Sequence, residues 1–266
     1  MVEQILRHAI NLVTGRPQDA AFALYTVVRE DKAAILPDHI PFTDGVVVPF
    51  ALEAAICALS LKQPGVAMPG VATPALGLPY PTLDIAHSNK ILIVYGGSSS
   101  VGSMTTQVAT AAGVHVISIT SSHNFNLSKS CGAAEVFDYK DPLVVERVAE
   151  AVVRSGLEFT GIFDAISTAE TYSNDLAILD KLGGGHLACS HPPPEQVPEN
   201  VNAGMIFAVN DIATPVWRGY VTAALEAGKL KCLPPPSIEG KGLKSIEGAL
   251  RKLEAGVSAT KIVVEI

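Results

Sequence analysis

The chain has 266 residues, 48% of them hydrophobic and 17% charged, with a formal net charge of −7. That is enough apolar material for a sizeable core, and no Lys/Arg cluster or aromatic-rich basic stripe points to nucleic acid. The four cysteines, Cys57, Cys131, Cys189 and Cys232, form no C-x-x-C pair, and the seven histidines form no His-x-x-x-His. The sequence therefore predicts reduced thiols of an intracellular protein and shows no zinc ligand set.

The first twenty residues, MVEQILRHAINLVTGRPQDA, lack a basic region followed by a long apolar core, so no signal peptide is read there. No uninterrupted apolar run reaches bilayer length, and a soluble, cytoplasmic protein with no membrane partner is expected. FALYTVV (22–28) alternates and is predicted as a strand. A turn-rich link follows at 36–45. VVVPFALEAAICALSL (46–61) then reads as a helix entered near Pro49. Residues 64–82 are rich in Pro and Gly and read as a long loop, of the kind that is usually functional or mobile.

From Ile91 onward apolar runs and helical patterns alternate. ILIVY (91–95) precedes a helix near 101–112, and VHVISI (114–119) one near 124–131. AEVFDY (134–139) precedes a helix near 142–154, and GIFDAI (161–166) one near 171–181. HLACS (186–190) and MIFAV (205–209) read as strands, followed by a helix near 215–227. The tail carries PPPS, a helix near 242–255 and the strand KIVVEI (261–266). The alternation predicts an α/β fold, a doubly wound parallel sheet whose strands are apolar on both faces.

In such a sheet the first strand–helix turn sits beneath the diphosphate of a dinucleotide. Glycines allow the backbone to approach, and the helix N-terminus supplies amides and a positive dipole end. Gly97, Ser99 and Gly102 occupy the G-x-G-x-x-G spacing, with Ser in the middle slot. Ser98, Ser99 and Ser100 offer hydroxyl donors to phosphate oxygens, or merely cap the helix. The second strand ends in ISITSSHNFNLSK (117–129), which has no acid. An acid there would take ribose hydroxyls and repel a 2′-phosphate. Ser121, Ser122, His123, Asn124 and Lys129 instead favour NADP(H), or simply form a polar turn that caps the next helix.

Other chemistries lack their motifs. None of the six tyrosines has Lys four residues on, as a short-chain dehydrogenase requires. There is no G-x-S-x-G elbow and no phosphate loop of an NTPase. Asp164, in FDAI, reads as a functional carboxylate or, in preference, as a strand-end residue bonded to nearby backbone amides, and His186 and His191 read as structural or loop residues ahead of catalytic ones.

Taken together, VYGGSSSVG (94–102), SSHNFNLSKSCGAAEVFDYKDP (121–142), FDAIS (163–167) and GKGLKSIEGALRKLEAGVSATKIVV (240–264) resemble the medium-chain dehydrogenase/reductases. Within them the chain is similar to the fungal zinc-independent trans-enoyl reductases that act with polyketide synthases and to quinone-oxidoreductase-like proteins. The resemblance covers about Ala21 to the C-terminus. It implies a Rossmann NADP-binding domain at 91–228, a remnant of a GroES-like catalytic lobe at 1–48, a linking helix and loop at 49–90, and a segment at 229–266 returning to that lobe. By the same resemblance Gly97, Ser98, Ser99, Ser100, Val101 and Gly102 hold the diphosphate. Ser121, Asn124 and Tyr139 surround the 2′-phosphate and adenine, while Ser167 and MIFAV line the path to the nicotinamide. Catalytic residues are not assigned.

The implied activity is hydride transfer from NADPH to the β-carbon of an enone or to a quinone, in fungal secondary metabolism. The implied partners are a small-molecule or acyl-carrier-bound substrate, a polyketide synthase, and a second copy joined through a sheet-edge strand such as 205–209. Two departures are expected to matter. Most of the GroES-like lobe is absent from the alignment, and Ala54 stands where relatives often carry a Thr facing the substrate. The alternative they imply is an NADPH-binding chain impaired in catalysis, or one that needs a partner. An NAD-dependent alcohol dehydrogenase is disfavoured by the missing acid and the missing zinc ligands.

Overall fold

A computed structural model describes residues 4–7, 15–20, 28–63, 65–68, 71–208 and 210–266. The strand expected over 22–28 lies outside the described residues, Val28 apart. The centre is a six-stranded sheet of β5 (Lys90–Tyr95), β6 (His115–Thr120), β7 (Glu135–Asp138), β8 (Glu158–Asp164), β9 (Gly185–Cys189) and β10 (Val201–Met205). Its order is β10-β9-β8-β5-β6-β7 and every pairing is parallel. Counted from β5, this is the 3-2-1-4-5-6 order of a doubly wound sheet, with its switch point between β5 and β8.

Strand alternation divides the core into two layers. Ile91, Ile93 and Tyr95 of β5 face α5 (Val144–Ser155) and α6 (Ala169–Lys181), together with Ile117, Ile119, Ile162 and Leu187. Leu92 and Val94 face the other way, onto α2 (Val48–Ser60) and α3 (Ser100–Ala111), and the short α4 (Phe125–Ser130) follows β6. Both faces of the sheet are thus dry, which is why its strands read as unbroken apolar runs.

Helix α2 is apolar around most of its circumference because it is a core helix. All its residues except Phe50 are buried. With the short helix α1 (Phe42–Gly45) before it, the stretch Phe42–Ser60 is long and apolar enough to cross a membrane, but 72% of it is buried inside the fold. The one acid of α2, Glu53, accepts from the Trp217 indole at 2.7 Å and lies 3.7 Å from the Lys32 ammonium. Burial raises the Glu53 pKa despite both partners, the expected cost of an ion inside a core.

The sequence-predicted elements are present with three corrections. The strand expected at 205–209 is β10, Val201–Met205, and Ile206 adds one more bond to the Cys189 carbonyl. VNAGM has little β propensity. It is extended because Val201 to Met205 pair in register with Gly185 to Cys189 on β9. The helix expected near 215–227 is interrupted. Short α-helical pieces, α7 (Thr214–Val216) and α8 (Thr222–Glu226), flank a π-helical turn, Trp217–Val221, at the tryptophan that reaches Glu53. The PPPS segment leads into a strand the pattern did not announce, β11 (Pro236–Lys241), which pairs parallel with β12 (Lys261–Glu265) across α9 (Ile246–Glu254). The loop at 64–82 also contains a small antiparallel pair, β3 (Gly65–Met68) and β4 (Val71–Thr73), and β1 (Ile5–Arg7) pairs with β2 (Ala33–Ile35).

Candidate dinucleotide cleft

A cleft of about 350 Å³ opens at the carboxyl ends of β5, β6, β7 and β8, at the switch point. The turn after β5 contributes Gly96, Ser98 and Ser99. The end of β6 contributes Thr120, Ser121 and, one turn on, Asn124. Tyr139 closes one side, Ile166, Thr168 and Glu170 the other, and Val257, Ser258 and Ala259 come over from the C-terminal segment.

The turn needs its glycines. Gly96 has φ +74°, and a Cβ there would lie 2.4 Å from Ile166 Cγ1. A Cβ on Gly97 would lie 2.0 Å from Ser118 Oγ, and one on Gly102 would lie 2.2 Å from the Gly96 carbonyl oxygen. Helix α3 is therefore pressed against the turn at van der Waals distance. Its N-cap is Ser99, whose hydroxyl accepts from the Gly102 amide at 3.1 Å. The opening amides of α3, Ser100 and Val101 among them, have no intrahelical acceptor, and a dipole end points the same way.

The polar side chains of the two strand ends form one network. Ser98 and Thr120 share a hydrogen bond of 2.6 Å between their hydroxyls. The Asn124 amide donates to the hydroxyls of Ser98, Ser121 and Ser258 at 3.2, 3.1 and 3.1 Å. Ser121 also meets His123 Nε2 at 3.2 Å. Gly97 and Ser121 thus belong to one connected surface, and the Lys140 ammonium lies 5.7 Å from the centroid of the half-open Tyr139 ring.

An acid does stand nearby. Asp138, at the end of β7, pairs in register with Thr120. It does not line the cleft: the Lys140 amide, at 3.0 Å, and Ser122 hold its carboxylate and lower its pKa. The second-strand acid test reads only one strand, and this neighbour becomes visible once the sheet is assembled.

Asp164 organises the opposite wall. It is fully buried, and its carboxylate accepts from the amides of Ile166 and Ser167 at 2.8 and 2.9 Å and from the Thr171 hydroxyl at 2.5 Å. The strand-end role expected for it holds. Ser167 sits at φ +58°, and its hydroxyl turns to the Asp164 carbonyl and the Ser190 amide. Ser167 shapes the wall rather than lining it. Behind it lies Asp175, also fully buried, with no hydrogen-bond donor reaching either oxygen. Desolvation and, next, the neighbouring Asp164 push its pKa well above the usual carboxylate range. Tyr95 donates no charge to the site either. Burial pushes its pKa up to about 12, against the hydrogen bond from Asn174 at 2.9 Å.

Of the residues singled out from sequence, Ser98, Ser99, Ser121, Asn124 and Tyr139 line the cleft, while Gly97 and Gly102 lie behind that lining, Gly97 packed against Ser118 and Gly102 against the Gly96 carbonyl. Val101 packs into the core and Ser100 faces Lys261, whose ammonium donates to its hydroxyl at 3.3 Å. Ala54 is buried among core side chains and faces no open site. Sequence reasoning missed Gly96, which the Gly-Gly pair at the strand end could have flagged, and Thr120. It also missed Ile166, Thr168 and Glu170, and the 257–259 segment, for which no local signal existed.

Residues 100–213 match the family model described as zinc-binding dehydrogenase. Among the described residues no group of three His, Cys, Asp or Glu side chains converges. The chain is 68% identical to dehydrogenase orsE of Emericella nidulans, over 99% of this chain and 76% of that protein. It is 33% identical to trans-enoyl reductase himH of Aspergillus japonicus, over 99% of this chain and 74% of that protein. The fold matches Escherichia coli quinone oxidoreductase, solved in complex with NADPH, with a TM-score of 0.63 over 89% of this chain and 69% of that one, at 15% identity. With a 3-2-1-4-5-6 sheet and this degree of identity to a fungal dehydrogenase and a trans-enoyl reductase, the chain is an oxidoreductase of the medium-chain dehydrogenase/reductase superfamily.

Proposed function

We propose that the protein is an NADPH-dependent reductase that reduces an activated C=C bond of an enoyl substrate, or a quinone, in fungal secondary metabolism. The observation that carries the reading is the cleft itself. A glycine turn that admits no Cβ lies beside the end of β6, where Ser121 and Asn124, with Tyr139 after β7, line the cleft. The relatives' names, trans-enoyl reductase and dehydrogenase, and the NADPH complex of the quinone oxidoreductase support it.

In this reading the opening amides of α3 and the Ser98 and Ser99 hydroxyls take the diphosphate. Asn124 and Ser121, donors already oriented by their shared network, take the 2′-phosphate, and the Tyr139 ring flanks the adenine. The cofactor supplies the hydride. The contribution of the protein is to orient the partners, exclude water and stabilise the enolate electrostatically. The substrate is a small enone, a quinone or an acyl chain on a carrier of a polyketide synthase.

The test is a pair of titrations on the purified chain, NADPH against NADH, followed by turnover with an α,β-unsaturated thioester and with a quinone. Preference for NADPH and its consumption with either substrate is the expected result. Preference for NADH, or no binding of either, overturns the cofactor assignment. Tight NADPH binding without turnover leaves only the cofactor half standing.

A further inference from the structure

A dinucleotide phosphate brings at least three negative charges into this cleft, yet among the described residues its walls hold no Lys, Arg or His. They hold one carboxylate, Glu170, and the chain as a whole is acidic. A helix N-terminus offers roughly half a positive charge, which does not balance a diphosphate. A cation beside the start of α3 comes from far along the chain. Lys261 opens β12, and its ammonium donates to the hydroxyl of Ser100, the first residue of α3, at 3.3 Å. The Phe50 ring lies 5.7 Å from the same nitrogen. Among the described residues no carboxylate pairs with Lys261, and burial lowers its pKa. A partly buried ammonium with a hydroxyl as its hydrogen-bond partner and no carboxylate paired to it can take an anion. Three residues earlier, Ser258 accepts from Asn124 on the far side of the turn. The segment 258–261 thus reaches both flanks of the glycine turn.

Resting on the NADPH reading above, we propose that Lys261 is a positioning residue for the cofactor. Its ammonium neutralises the diphosphate at the opening turn of α3, so that the last strand of the chain completes the nucleotide site. The adenosine end is held independently, by Asn124, Ser121 and Tyr139.

The experiment compares parent, Lys261→Met and Lys261→Arg by titration with two probes, NADPH and adenosine 2′-monophosphate, which lacks the diphosphate. Lys261→Met is expected to weaken NADPH about tenfold or more, the size of a charge-assisted bond, and to leave adenosine 2′-monophosphate within about twofold. Lys261→Arg, which keeps the cation, recovers most of the NADPH affinity. If the parent binds NADPH and Lys261→Met binds it equally well, the role of Lys261 is overturned and the cofactor reading survives. If the parent binds no NADPH, both fall. If Lys261→Met weakens both probes alike, the lysine only seats the strand, and the proposal is overturned.

Discussion

Gly102→Ala tests the cleft and the fold together. A Cβ at this position would sit 2.2 Å from the Gly96 carbonyl oxygen, 2.8 Å from its carbon and 3.0 Å from Gly97 Cα, all backbone atoms that no rotamer change can move. Relief requires lifting the start of α3 off the turn by roughly 1 Å, an overpacking cost of about 1–3 kcal/mol. The change also gains up to about 1 kcal/mol of helix propensity, which offsets only part of a cost set by contacts with three backbone atoms. Gly248→Ala is the control. Gly248 lies in α9 with nothing within 4 Å of its Cβ position, and substitution there gains about 0.5–1 kcal/mol. Thermal unfolding can be followed through Trp217, the only tryptophan, which is 2% exposed. At about 2–4 °C per kcal/mol for a chain of this size, Gly102→Ala should lower the Tm by several degrees while Gly248→Ala raises it slightly. The lifted helix should also lose NADPH affinity by about tenfold or more, since its amides are displaced from the diphosphate. A Gly102→Ala protein with unchanged Tm and unchanged NADPH affinity would refute the close-approach turn.

Three further outcomes are expected. Asn124→Asp turns the common donor to Ser98, Ser121 and Ser258 into an anion; NADPH affinity should drop by about tenfold or more and NADH affinity far less, so a titration with equal losses removes Asn124 from the 2′-phosphate pocket. Asp175 binds its proton more tightly folded than unfolded, so its contribution is complete below the unfolded carboxylate value and is lost as pH rises through the raised folded value. Asp175→Asn, which keeps a donor toward Asp164 without the titration, should flatten the fall of the urea midpoint with rising pH and be at least as stable as the parent at pH 8; a less stable, equally pH-dependent variant shows that Asp175 is ionised. Thr171→Val removes the hydroxyl that donates to Asp164 at 2.5 Å and caps α6 at Thr168, and should cost about 1–3 kcal/mol by urea unfolding, with Thr171→Ser restoring most of it.

The doubly wound sheet was legible in the chain because its strands are buried on both faces. Burial on both faces forces unbroken apolar runs such as ILIVY, and the crossover helices between them carry their own period and caps. The glycine turn was legible for a related reason: a close backbone approach excludes every side chain, so Gly97 and Gly102 announce it locally. Ser121, Asn124 and Tyr139 were found from the resemblance and from one strand end, and the structure brings them to one wall. Other features had no local signature. VNAGM is a strand only because β9 pairs with it, and Asp138 stands beside Thr120 only because β7 docks on β6. Ser167 proved to be a turn residue, since its left-handed backbone is imposed by the Asp164 carboxylate. Asp175 has its pKa raised by burial and by Asp164, eleven positions away in sequence. Lys261 and Ser258 reach a turn that lies about 160 residues upstream. Periodicity and turn chemistry are properties of neighbours along the chain, and the sequence alone determined what depends on them. Charge balance, proton sharing and closure of the cleft depend on groups that meet only when the sheet is assembled, and these the tertiary structure decided.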